Sequence, residues 1–149
     1  MKHHVVEKSE LRNYILSILD EKIVKLDRFI EFTIEASRDI KKTPKYDSIR
    51  TEVQEEIYQL DRQMAELKLM QTNMRKVVSS SASKVQVGSL VITNKARFYV
   101  SVSLGEFFYE GDRFYAISPE SPIAIKMMGM SVGEEFILNK IHQKIVEII

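Results

Sequence analysis

The chain has 149 residues, of which 44% are hydrophobic and 29% charged, as in folded globular proteins, and its net charge of +1 predicts no overall attraction to nucleic acid or membrane. The absence of cysteine excludes disulfides, thiolate metal sites and cysteine nucleophiles. No apolar run approaches the roughly 20 residues that cross a bilayer, and charged residues come too early for a signal peptide. We therefore expect a cytoplasmic protein without membrane contact.

Glycine and proline divide the chain into two parts. Before Gly88 there is no glycine and one proline, Pro44, whereas all five glycines come later. Because these residues interrupt regular structure, a helical half with one break should precede a turn-rich half. We predict an α+β fold, with an antiparallel coiled-coil hairpin over residues 1–78, a hinge over 79–84 and a small antiparallel β-sheet domain with one short helix over 85–149.

Each predicted helix carries an apolar stripe whose members are three and four residues apart, the spacing that turns one face toward a partner helix. Ser9 is the predicted N-cap of the first helix, which should end near Lys42. Thr43 and Pro44 are typical of an N-cap and a first helical position, and so short a reversal predicts antiparallel neighbours. The stripe residues are Leu16, Leu19, Ile23, Leu26, Ile30, Thr33, Ser37 and Ile40, then Val53, Ile57, Leu60, Met64, Leu67, Gln71 and Met74.

Three large apolar residues of the first helix, Ile15, Phe29 and Phe32, lie off this stripe. Two interpretations stay open. They pack against the carboxy-terminal domain, which we favour, or they form a patch that faces a partner.

The turn-rich half contains short segments with strand character and one short helix. Ser121, Pro122 and Gly129 predict that helix, because they are typical of an N-cap, a first helical position and a glycine terminator. The predicted strands are Val85 to Thr93, Arg97 to Leu104, Arg113 to Ser118, Glu135 to Leu138 and Lys144 to Ile149.

Two stretches resemble the Gre-type transcription elongation factors of bacterial RNA polymerase. Ser121 to Ala124 with Met128–Gly129, followed by Val132 to Glu135, is similar to the family's Ser-Pro-Leu-x-x-Ala-Leu-x-Gly and Val-Gly-Asp/Glu motifs. Val87 to Val91 is similar to the family's opening strand. Asp39 to Tyr46 stands where the family has, roughly, Asp-Leu-x-Glu-Asn-x-Glu-Tyr at the tip of its hairpin.

The resemblance implies a carboxy-terminal domain like that of the FK506-binding proteins. In the family this domain docks at the rim of the polymerase secondary channel, and tip carboxylates on the inserted hairpin help hold a catalytic magnesium. The active site belongs to the polymerase, so we expect a non-enzymatic monomer with no cofactor, metal or catalytic residue of its own and only indirect contact with nucleic acid. The docking candidates are Ser121, Pro122, Met128 and Gly129.

The tip, at about residues 39–47, departs from the family pattern. Only Asp39 matches an acid, whereas Lys42 and Lys45 stand where the family has acids. A cationic tip should repel a divalent metal and attract phosphate, so we predict a secondary-channel regulator that does not strongly stimulate transcript cleavage. For Asp47 we favour a structural role at a helix start over a substitute for the missing acid. The candidate tip residues are Asp39, Lys41, Lys42, Lys45, Tyr46 and Asp47.

Two alternative functions remain. The carboxy-terminal domain could be a peptidyl-prolyl isomerase, with a pocket built from Phe98, Phe107, Phe108, Tyr109, Phe114 and Tyr115. The hairpin could instead be a protein-binding adaptor that dimerises through Phe29 and Phe32. The histidines His3, His4 and His142 do not have the spacing of metal ligands.

Overall fold

A computed structural model describes residues 6–149, so His3 and His4 lie outside the described residues. The fold is α+β, as predicted: two long helices are followed by a six-stranded sheet and a short helix. No helix in the described part of the chain is long and apolar enough to cross a membrane. The helices are α1 (Lys8–Ser37), α2 (Asp47–Arg75) and α3 (Pro122–Met127), and the strands are β1 (Leu90–Thr93), β2 (Arg97–Val100), β3 (Gly105–Tyr109), β4 (Asp112–Ile117), β5 (Glu135–Leu138) and β6 (Ile141–Ile148).

Contacts divide the chain into two compact units, and both long helices cross the division. The sheet unit consists of the described residues up to Leu16 together with Thr72–Ile149. The hairpin unit consists of Ser17–Gln71. The domain boundaries and the hinge predicted from composition stay predictions.

Helix α1 differs from the prediction at both ends. It begins at Lys8, so Ser9 lies inside the first turn and is not the N-cap, and it ends at Ser37 rather than near Lys42. The Ser37 hydroxyl donates to the carbonyl of Ile34, and the next three backbone amides donate to carbonyls three residues earlier. These tighter bonds end the α-helix, because a serine side chain competes for backbone carbonyls.

The second helix starts where the sequence predicts. Thr43 is extended and Pro44 occupies the first helical position, although the Thr43 side chain makes no capping hydrogen bond. The first turn, Pro44–Tyr46, is a 3₁₀ helix that runs directly into α2. Proline suits this position because its fixed φ is already helical and its missing N–H would have had no intrahelical partner.

The core of the hairpin unit lies on the predicted stripes. Ile30, Leu60 and Met64 form its buried cluster, which is joined by the partly buried stripe residues Ile23 and Leu26. The partly buried Ile34, which is not a stripe residue, also packs against this cluster. Among the off-stripe residues, Ile15 is fully buried, as a packing role requires. The packing role predicted for Phe29 and Phe32 is wrong, because their side chains are 47% and 69% exposed.

The strands form one sheet in the order β3-β4-β2-β1-β6-β5. The pairings are antiparallel except that of β2 with β4, which is parallel. Strand β3 was not predicted, since its exposed Phe108 stands beside buried Phe107 and hides the alternation of polar and apolar residues. Relative to prediction, β1 starts later, β2 ends earlier and β6 starts earlier.

One face of the sheet packs on α3. Ala124 and Met127 of this helix join Val91, Phe98 and Ile145 of the sheet in a buried cluster. The predicted signals of α3 are confirmed. The Ser121 side chain accepts a hydrogen bond from the backbone of Ala124, Pro122 occupies the first turn, and Gly129 has φ +80°, which glycine adopts readily.

The start of α1 lies against other parts of the sheet unit. The Tyr14 ring is 6.2 Å from that of Phe107 and 4.9 Å from that of Tyr109, measured between centroids. The buried Lys8 Nζ donates to the carbonyls of Ser80 at 2.9 Å and Gly88 at 3.0 Å. These bonds tie the first turn of α1 to the segment that leads into the sheet.

Candidate functional site

All six predicted tip residues lie at the reversal between the two long helices. Asp39, Lys41 and Lys42 belong to the turn after α1, Lys45 and Tyr46 to the 3₁₀ helix, and Asp47 is the first residue of α2. Tyr46 is partly buried, whereas the other five are exposed. The structure therefore brings the predicted tip residues together in one exposed turn.

Arg50 fixes the conformation of this turn, and the sequence prediction missed it. Its Nη1 donates to the carbonyl of Lys41 at 2.8 Å and to that of Thr43 at 3.2 Å, and its Nη2 pairs with the Asp47 carboxylate. One guanidinium thus contacts three points of the reversal. The i,i+3 spacing of Asp47 and Arg50 on a helix was the available signal, because such residues are neighbours on the helix surface.

The two aspartates of the tip differ in what they contact. The Asp47 carboxylate is held by Arg50, and Asp47 is the first residue of a helix, where a negative charge is favourable. The Asp39 side chain is exposed and has no ion pair within the described residues. The reversal thus has one acid with a structural contact and one whose carboxylate faces solvent.

Most cationic side chains of the tip are not held in ion pairs. Arg38 is 3.7 Å from Glu35 in an exposed pair, and Lys45 Nζ is 5.7 Å from the centre of the Tyr46 ring. Lys41 and Lys42 make no side-chain ion pair to any residue that the structure describes. Because exposed pairs hold side chains only weakly, these ammonium groups are available to an anionic partner.

The tip lacks the acids of a metal site. In the described part of the chain, no group of three or more histidine, aspartate or glutamate side chains could hold a metal ion. Magnesium requires several oxygen ligands, usually carboxylates supplemented by water or phosphate. Asp39 alone offers one such ligand.

The docking candidates predicted at α3 have mainly local contacts. The Ser121 hydroxyl donates to the carbonyl of Ser118 at 2.8 Å and accepts from the Ala124 amide, so the helix cap accounts for it. Pro122 is exposed at the start of α3. Met128 is exposed, as are two apolar residues that the sequence prediction did not single out, Ile125 and Val132. Several apolar side chains near α3 are therefore accessible to a partner.

Most aromatic residues proposed for an isomerase pocket contact one another. The Phe107 and Phe114 rings stack with centroids 5.5 Å apart, and those of Phe98 and Tyr115 are 5.8 Å apart. Phe98, Phe107 and Phe114 are buried, which is typical of core packing. Phe108 is exposed beneath Arg113, whose guanidinium carbon is 5.6 Å from the ring centre.

His142, the histidine in the described residues, is exposed on β6. Its Nε2 is 3.7 Å from the carboxylate of Glu135 on the neighbouring strand β5. A single histidine beside one exposed carboxylate provides too few ligands for a metal.

Comparison with known proteins leaves the family open. No protein-family model matches the chain, and no curated protein matches it. The resemblance to Gre-type factors therefore depends on the motifs and their order along the chain.

Proposed function

We propose that this protein is a Gre-type regulator of transcription elongation. It binds RNA polymerase, inserts its helical hairpin into the secondary channel and stimulates transcript cleavage weakly or not at all. The proposal depends mainly on the tip. Lys41 and Lys42 are exposed there without an ion pair in the described residues, whereas Asp47, the other acid of the tip besides Asp39, is paired with Arg50.

The pairing of Asp47 bears directly on metal binding. To hold magnesium together with Asp39, the Asp47 carboxylate would have to exchange a charged donor for the metal. The exposed cations at Lys41, Lys42 and Lys45 would further raise the free energy of a divalent cation at the tip. Both effects oppose the metal-holding role that acidic tips have in the family.

The same cations favour a different interaction in the channel. Ammonium groups attract the phosphates of a transcript or a nucleoside triphosphate and the carboxylates of a polymerase. Each long helix of 29 or 30 residues is about 45 Å long at ~1.5 Å per residue. With such a tip, this protein would act by occlusion of the channel or by contact with phosphates.

A transcript-cleavage assay on stalled polymerase complexes tests the proposal. We expect little cleavage with the wild-type protein and an increase when Lys42→Glu and Lys45→Glu restore acids at the tip. Arg62→Glu, on an exposed position of α2 outside the tip, is the matched control and should have no effect. Robust wild-type cleavage that Asp39→Ala abolishes would contradict the proposal.

Binding to polymerase is tested separately. Immobilised protein should retain purified RNA polymerase core enzyme, and Met128→Glu near α3 should weaken this retention. Lys140→Glu, in the exposed turn between β5 and β6, is the control. Failure of the wild-type protein to retain the enzyme would refute the proposed partner.

A further inference from the structure

The turn between the two long helices carries the positive charge of this protein. Residues 35–50 hold five cationic and three acidic side chains, a net charge of +2, whereas the whole chain has a net charge of +1. The other residues taken together are therefore slightly acidic. An excess that is concentrated on one exposed turn indicates a local preference for anions.

Three lysines account for this excess. Lys41, Lys42 and Lys45, which we call the tip lysines, are exposed and form no ion pair with any side chain that the structure describes. The neighbouring Arg38 lies 3.7 Å from Glu35 in an exposed pair, so these two charges balance each other. The tip lysines therefore keep their charge available to a ligand.

Arg50 covers oxygen atoms that would otherwise repel an anion at this turn. Its Nη1 donates to the carbonyls of Lys41 at 2.8 Å and Thr43 at 3.2 Å, and its Nη2 pairs with the Asp47 carboxylate. Because both carbonyls bind one nitrogen, the turn is compact, and a cation offsets the negative charge of its oxygens. Asp39 is then the one acid of the tip whose carboxylate has no ion pair in the described part of the chain.

We infer that the tip lysines bind the phosphate chain of a nucleoside triphosphate. Ammonium groups form charge-assisted hydrogen bonds with phosphate oxygens, and lysine carries a compact charge on a flexible stem. A triphosphate concentrates its negative charge on linked phosphates, which matches three lysines within five residues of chain. Single-stranded RNA spreads its charge along the strand, one phosphate to each nucleotide, so it brings less charge to so small a cluster.

This ligand deepens the proposed function, and its role rests on that function, because an inserted tip would hold a triphosphate inside the polymerase channel. Binding itself requires no polymerase. A protein that binds triphosphate but is not retained with polymerase would support the ligand and refute the proposed partner. A protein that polymerase retains but that binds no triphosphate would refute the ligand alone.

Isothermal titration calorimetry of the full chain at low salt tests the ligand. Inorganic triphosphate and ATP, both without magnesium, should bind with similar affinity, because the phosphate chain makes the contacts. AMP should bind at least about tenfold more weakly, since it brings a single phosphate, and added sodium chloride should weaken all binding by screening exposed charges. An RNA tetranucleotide, which has as many phosphates as ATP, should also bind more weakly than ATP. Equal affinities for ATP and AMP, tighter binding of the RNA, or no binding of triphosphate would overturn the inference.

Substitution of the tip lysines separates a site from a general effect of charge. A variant with Lys41→Gln, Lys42→Gln and Lys45→Gln should raise the dissociation constant for ATP at least about tenfold, because it loses the charge-assisted bonds. Circular dichroism of the variant establishes that its helices are intact.

The matched control removes the same charge from exposed positions outside the tip, by Lys22→Gln, Lys126→Gln and Lys140→Gln. This control should bind ATP as the wild type does. An equal loss of affinity in both variants would show a general attraction of the protein for anions and would overturn the inference.

Asp39→Asn should have the opposite effect. It removes the unpaired carboxylate of the tip, so the dissociation constant for ATP should fall about threefold, the scale of an exposed charge contact. Misfolding would not produce such a gain of affinity. Unchanged or weaker binding by this variant would contradict a triphosphate site at the tip.

Discussion

Met64 and Met74 lie ten residues apart on the same helix, α2, yet they belong to different units. Met74, in the sheet unit, is fully buried, whereas Met64 keeps 9% of its surface exposed at the core of the hairpin unit. Consecutive residues of the central strands β1 and β2 are buried, so the sheet unit covers both faces of these strands. The hairpin unit has only two helices with which to cover the interface between their apolar stripes, which we call the seam. Burial, and therefore stability, should be unequal between the units.

Within the hairpin unit, apolar burial decreases further toward the turn between α1 and α2. The seam position Thr33 is polar, with its hydroxyl donating to the carbonyl of Phe29, and Ser37 ends α1. Polar residues at a seam gain little from burial, so the part of the hairpin nearest the tip should open most easily.

The largest effect should come from the two methionines. Met74→Ala should lower the free energy of unfolding by about 3 kcal/mol, because it creates a cavity in a fully enclosed site. Met64→Ala should lower it by about 1–2 kcal/mol, because the seam lies near solvent and can relax. Urea denaturation followed by circular dichroism measures both. An equal or larger loss for Met64→Ala would refute the unequal burial.

The second effect concerns Lys8 in the sheet unit. Lys8→Met should lower the free energy of unfolding by about 2 kcal/mol, since the carbonyls of Ser80 and Gly88 would lose their donor. Lys126→Met on the exposed side of α3 is the control and should change stability by less than about 0.5 kcal/mol. Equal effects of the two substitutions would show that the carbonyl contacts contribute nothing.

The effect of Tyr99 on the free energy of unfolding should depend on pH and be largest at alkaline pH. Its hydroxyl is buried without a hydrogen-bond partner in the described residues, and this burial raises the pKa of Tyr99 to about 12, although the charge of Arg12 partly opposes the shift. The folded protein therefore favours the neutral phenol. This preference contributes to the free energy of unfolding below pH 10, and the contribution is lost as the pH rises from 10 to 12.

Phenylalanine cannot ionise and leaves no unpaired hydroxyl. Tyr99→Phe should therefore be as stable as the wild type at pH 7, or more stable by up to about 1 kcal/mol, and its advantage should grow above pH 10. Unfolding curves at several pH values measure the difference, with the exposed Tyr58→Phe as control. A constant difference between pH 7 and 11 would contradict this prediction.

The smallest effect on stability should come from the tip. Arg50→Ala removes exposed bonds to Lys41, Thr43 and Asp47, and such contacts contribute less than about 1 kcal/mol to global stability. Hydrogen exchange of the amides in residues 38–46 should nevertheless become faster, because the turn loses the three contacts that Arg50 makes with it. Arg62→Ala is the control, and unchanged exchange in the Arg50 variant would show that the clamp is unnecessary.

Local signals predicted several elements well. Thr43–Pro44 marked the start of the second helix, and Ser121, Pro122 and Gly129 marked α3 with its cap and terminator. These features depend on neighbouring residues, so the sequence contains the required information. The end of α1 was missed because the apolar stripe continues to Ile40, whereas the Ser37 hydroxyl competes for a backbone carbonyl and the α-helix ends at Ser37.

Contacts between distant residues could not be predicted in the same way. The bonds of Lys8 to carbonyls more than seventy residues away join residues whose types are unremarkable. The contacts of Arg50 are local, but only its spacing from Asp47 was a signal, and nothing in the sequence marked the two carbonyls that it binds. The exposure of Phe29 and Phe32 could not be predicted from the sequence either, because an apolar residue off a stripe is compatible with a core or with an open surface.

The sequence by itself determined the α+β class, the reversal at Pro44 and the excess of cations around it, since spacing, turn residues and charge are local properties. Only the tertiary structure decided which side chains are enclosed, which acid of the tip is paired, and how β2 and β4 come to lie parallel. The reason is physical: burial and pairing depend on which distant segments arrive at the same place, and many arrangements satisfy the same local pattern.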